Sequence, residues 1–185
     1  MTVLTSFPQL TTAPAALPTT SERPCACPAD PWTQRRRRLR LARTLAGVSV
    51  RSALLPRGAT RSRQRLRVCS SADILTALDV RVRVIGGAVP WPRLGRVVVS
   101  DHTGWLGDLA LSTAAPGTPV LGRDSARILP AGSVACPVVL RYRTAAGYLR
   151  PAEVPRTLAA ITAARELVVE VHRLPALQPA RTVPA

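Results

Sequence analysis

Between Thr33 and Leu55 apolar side chains return at helical intervals among arginines. Leu39, Leu41, Ala42, Leu45, Ala46 and Val48 are interleaved with Arg35 to Arg38, Arg40, Arg43 and Arg51. Arg and Leu both favour helix, and the spacing predicts a basic amphipathic helix over 34–55. Pro56 to Thr60 breaks it, and 61–78 predicts a second helix. The period then changes. Val80 to Ile85 (VRVRVI) alternates with period two, as a half-buried strand does. A Gly- and Pro-rich turn leads to Arg96–Ser100, a continuous apolar strand of the buried type. Residues 105–113 suit a helix, and 116–122 a brief strand between turns. Val134 to Tyr142 reads as another strand, with Pro137 pointing to an edge or a strand start. Pro155 to Glu166 reads as a helix with Pro in its first turn, and Leu167–Val171 as the last strand. Strands separated by helices predict an α/β or α+β sheet packed by helices.

The ends lack any such period. Residues 1–33 hold Pro8, Pro14, Pro18, Pro24, Pro28 and Pro31, which predicts a disordered lead-in; 178–185 reads as a tail. The 185 residues have room for one ordinary domain, divided here into the basic helix over 34–66 and a domain over 67–177. With 46% apolar but only 3% aromatic residues, the core must come from Ala, Leu and Val. Arginine supplies all 26 basic charges, for a net +16. Such a surface is drawn to phosphates on nucleic acid, anionic lipid or a phosphorylated substrate, and Arg grips them with a planar fork that never loses its charge.

One Phe and two Tyr leave few rings for base stacking, and no nucleic-acid reader motif is present, so a nucleic-acid partner is disfavoured. A basic amphipathic helix suits an anionic membrane surface; its alternative is a solvated basic face packed against the domain. No uncharged apolar run reaches the ~18 residues that spanning requires, and residues 1–21 lack the basic start and apolar core of a signal peptide. The expected location is the cytoplasm or the cytoplasmic face of a membrane. Cys25-Ala-Cys27 is too closely spaced for a zinc knuckle, so no metal site is expected.

The candidate chemistry lies in SDHTGWLGDLAL, residues 100–111. An apolar strand runs into Asp101-His102-Thr103-Gly104 and then a helix, the place where α/β folds present reactive groups. A neutral imidazole there can serve as general base if a second group fixes its tautomer. Asp101 is adjacent and Asp108 lies six residues on. No Ser or Cys occupies a nucleophile elbow. His172, the other histidine, follows the last strand and reads as structural.

The same stretch, Arg96-Val-Val-Val-Ser-Asp-His-Thr-Gly-Trp-Leu-Gly-Asp-Leu-Ala-Leu111, resembles the first block of the phospholipid/glycerol acyltransferases, the 1-acylglycerol-3-phosphate acyltransferase family. Its usual form is an apolar strand, then Asn-His-x-Ser-Trp-Leu-Asp. Ala131-Gly-Ser-Val-Ala-Cys-Pro-Val-Val-Leu-Arg-Tyr142 resembles the late strand of that domain, and 155–177 its closing helix and strand. The likeness is collinear over about 35–177. It implies an incomplete glycerol-acyltransferase-like α/β sheet preceded by the basic helix. It also implies acyl transfer from acyl-CoA or acyl carrier protein to a lysophosphatidate-like acceptor, with no cofactor and with His102 as base. The family's Asp falls on Gly107, with Asp108 one position, or ~100° of helix, further round. Only 35 residues separate His102 from Pro137, so the family's phosphate-binding blocks are missing, and Arg123 and Arg127 are the candidates for holding the acceptor's phosphate. The alternative is an inactive membrane-surface or interaction protein derived from that family.

Overall fold

The computed structural model describes residues 28–56, 58–86, 91–92, 94–100, 104–122 and 132–177. The first helix, α1 (Pro31–Leu54), begins inside the stretch expected to be a disordered lead-in. The Asp30 side chain accepts from the Thr33 N–H, and Pro31 takes the first helical position, where no N–H is needed. It ends at Leu55, held extended by the following Pro56. Helix α2 (Thr60–Ala77) follows, and a turn through Asp79, at φ +59°, leads into β1 (Arg81–Ile85).

The remaining elements are β2 (Arg96–Ser100), α3 (Trp105–Ala114), β3 (Val120–Gly122), β4 (Val134–Thr144), β5 (Gly147–Tyr148), α4 (Leu158–Ala163) and β6 (Val168–Arg173). They build a mixed α/β architecture on one six-stranded sheet in the order β1-β6-β4-β2-β3, with β5 hairpinned onto β4. Strands β2, β3 and β4 are mutually parallel, as are β1 and β6, and the two groups meet in the antiparallel β4–β6 pair. The short chain therefore closes its sheet without a gap between β2 and β4.

One sheet face carries the core. Val98, Val138, Val169 and Val171 meet Leu106, Ala110, Leu111 and Ala114 of α3, Leu75 of α2, Leu41 of α1 and Ile161 of α4. Each such fully buried Val or Leu contributes about 1.5–3 kcal/mol. Alternation sends Arg81, Arg83, Arg141, Arg143, Glu170 and His172 to the opposite face.

Besides the start of α1, three further departures from the sequence expectation have a local description. Pro137 sits inside central β4, not at an edge or a start. Its carbonyl accepts from the Leu174 N–H, so its nitrogen faces the segment where β6 has already ended. Helix α4 is confined to Leu158–Ala163. Thr157 caps its start, and Arg37 takes the Thr162 and Ala164 carbonyls at its end. Strand β6 runs to Arg173, two residues further than expected, so His172 lies within the strand rather than after it.

Candidate functional site

Strand β2 ends at the buried Ser100, beside Val138 of β4 and Gly122 of β3. In sequence His102 follows β2 and Arg123 follows β3, and these two parallel neighbours finish at the same end of the sheet. Asp101, His102, Arg123 and Arg127 themselves lie outside the described residues.

The described chain continues from Gly104 into helix α3. Gly104 precedes it at φ +142°, a conformation that favours glycine. Its carbonyl accepts from the Gly107 N–H at 3.1 Å and the Asp108 N–H at 3.3 Å. This first turn fixes the orientation of the next two positions. Gly107 is buried, whereas Asp108 is exposed. The carboxylate candidate thus projects about one helical step away from the position buried toward the core. Asp108 lies close enough to Tyr142 to act on it. Burial is the main cause that raises the Tyr142 hydroxyl above its ordinary value, and the Asp108 charge adds to it. Trp105 anchors the start of α3 by donating its indole N–H to the Arg156 carbonyl at 3.1 Å.

The basic half of α1 lies at this same end. Arg37, read from sequence as one of a surface run, is instead 5% exposed. It donates to the Thr162 carbonyl at 3.0 Å, the Ala164 carbonyl at 2.6 Å and the Asp79 carboxylate at 2.9 Å. These contacts pin α1 between the end of α4 and the turn before β1. Arg35, Arg36, Arg38 and Arg40 remain exposed around it, with Trp32 and Leu39.

A second cluster escaped the sequence reading. Glu170 is 4% exposed; it accepts from the Tyr148 hydroxyl at 3.1 Å and lies 3.3 Å from His172 Nε2. In register it stands between Arg83 on β1 and Arg141 on β4. The carboxylate can hold the His172 ring with Nε2 as the donor, leaving Nδ1 as an acceptor. The available signal was the period-two spacing of Glu170 and His172 in LVVEVHR, which puts both on one face. The partners come from strands distant in sequence, so spacing alone does not reveal them.

Among the described residues no group of three His, Cys, Asp or Glu side chains is placed to hold a metal ion. Burial is the main cause that pushes the Cys136 thiol up, while Arg96 and Arg173 act the other way. Comparison with family models, with curated proteins and with solved structures finds no match.

Proposed function

We propose that this chain is a glycerophospholipid acyltransferase acting at the membrane surface. His102 takes the proton from an acceptor hydroxyl, whose oxygen attacks the carbonyl of an acyl thioester. The tetrahedral intermediate expels the thiolate, which recovers the proton from the imidazolium, leaving ester and free thiol. Asp108 is the group assigned to orient and stabilise the charged imidazole, and Arg123 and Arg127 the groups that hold the acceptor's phosphate.

The observation that supports this reading is a shared end of the sheet. The strand leading to His102, the first turn of α3 bearing Asp108 and the basic half of α1 all occupy it. A peripheral position on the cytoplasmic face agrees with the net +16 charge. Among the described residues no helix is long and apolar enough to cross a membrane.

The test is acyl transfer from acyl-CoA, and separately from acyl carrier protein, to lysophosphatidate. Turnover by the wild type that falls at least ~100-fold in folded His102→Ala is the expected result. The buried Gly107 favours a second reading, a membrane-surface protein without turnover. Vesicle binding with no acyl transfer by either protein would select that one.

A further inference from the structure

At the opposite end of the sheet from the exit of β2, α2 and the turn after α3 flank an open groove of about 350 Å³, along which Arg61, Gln64 and Arg65 are exposed. Arg61, Gln64, Arg65 and Val68 line it from one face of α2, at the i, i+3, i+4, i+7 spacing that stacks side chains. Pro116 and Gly117 form its far side. The turn presses close to the helix. Gly117 holds φ +72°, and a Cβ there would fall 2.8 Å from the Gln64 amide nitrogen. The volume is within the range of small-ligand sites.

The charge in this groove is unbalanced. Arg61 and Arg65 stand one turn apart, a like-charge pair that opposes helix formation, and the first turn of α2 contains no acidic residue. Among the described residues neither guanidinium makes an ion pair or a side-chain hydrogen bond. An anion between them removes the repulsion and satisfies both forks, since guanidinium and phosphate match in bidentate geometry. Gln64 adds an amide donor between the two, and Val68 and Pro116 offer apolar contact to carbon atoms attached to that anion.

We infer that this groove is a binding site for a phosphate ester, separate from the end of the sheet where β2 leads to His102. The inference does not depend on acyl transfer. Its ligand is a phosphomonoester on a short carbon chain, whether free in solution or carried by a lipid headgroup.

Calorimetric titration of the full chain with glycerol 3-phosphate at constant ionic strength tests it. Saturable one-to-one binding is expected, weakened at least tenfold in Arg61→Ala/Arg65→Ala. It should be unchanged in Arg150→Ala/Arg156→Ala, which removes the same charge from two other exposed positions, away from the groove. Absence of saturable binding by the wild type, or equal weakening in both double variants, overturns the site. The source is read from vesicles of phosphatidylcholine with phosphatidate, against vesicles of equal surface charge made with phosphatidylserine. A preference for phosphatidate that disappears only in Arg61→Ala/Arg65→Ala assigns the site to a lipid headgroup. Loss of glycerol 3-phosphate binding with unaltered vesicle binding assigns it to a soluble ester. Failure of the wild type to bind any vesicle overturns the membrane reading and leaves the titration result standing.

Discussion

Arg37 directs one guanidinium at three acceptors on two different segments, and among the described residues its neighbours in the RRRR run do none of this. Two of the acceptors are main-chain carbonyls at the end of α4, where a helix has no internal donors left. Asp79 is 59% exposed, so solvent screens its share, and the buried carbonyl contacts dominate. Arg37→Ala should cost about 3 kcal/mol, read as a lower urea midpoint, because it strands those carbonyls and opens the α1 contact. Arg36→Ala, at an exposed position, should change stability by less than about 0.5 kcal/mol. Equal effects would mean that Arg37 is no more than another surface charge. Four consecutive arginines look alike in sequence, and the expected apolar stripe did not single out Arg37, since Leu39, Ala42, Leu45 and Ala46 of that stripe are exposed. Arg37 precedes Leu41, Thr44 and Val48 by four, seven and eleven positions, the stripe α1 turns inward. For Glu170 the only signal was its period-two spacing with His172, because Tyr148 comes to it, and Arg83 and Arg141 come beside it, through strand register alone.

At the scale of elements, patterns with a clear period were legible, and ends were not. The alternation of VRVRVI and the apolar run RVVVS correspond to β1 and β2 almost residue for residue, since each is bounded by turn chemistry. The start of α1 was missed because proline density read as disorder, whereas Asp30-Pro31 is a helix entry. This cap carries a pH signature. The Thr33 hydroxyl at 2.6 Å, and then the Thr33 N–H at 2.9 Å, hold the Asp30 carboxyl below its ordinary 3.8. A lowered folded value stabilises the protein above 3.8, and that contribution is lost as pH falls through the folded value. Asp30→Asn keeps an acceptor but cannot ionise. The wild type should exceed it in urea midpoint near neutrality, by a margin that shrinks as the solution is acidified below 3.8. A margin independent of pH would place the cap's effect in geometry rather than charge.

For the whole molecule, the proposed membrane association raises the question of which surface would meet an anionic bilayer. Helix α1 turns Gln34, Arg37, Leu41, Thr44 and Val48 inward, and at ~100° per residue the opposite side presents Trp32, Leu39, Ala46 and Val50. Three of these outward residues are large and open to solvent, Trp32 at 71%, Leu39 at 53% and Val50 at 60%. Arg35, Arg36 and Arg43 lie beside them, so on the proposed reading this face would join apolar insertion with cations at headgroup level. The arginine-bearing sheet face offers charge from Arg81, Arg83, Arg141 and Arg143 in strand register, and lies on the other side from the helix layer. The two surfaces respond differently to substitution and to salt. Trp32→Ser/Leu39→Ser/Val50→Ser should lower affinity for anionic vesicles on the order of tenfold to a hundredfold, from the lost insertion of two or three apolar side chains. Its thermal midpoint should stay close to that of the wild type, since these side chains are solvent-exposed in the fold. The residual binding, carried by charge, should then vanish as salt shortens the screening length. If the triple variant binds vesicles as the wild type does, and Arg83→Ala/Arg141→Ala does not, the membrane meets the sheet. That would turn α1 away from the bilayer and make its apolar stripe a surface for something else.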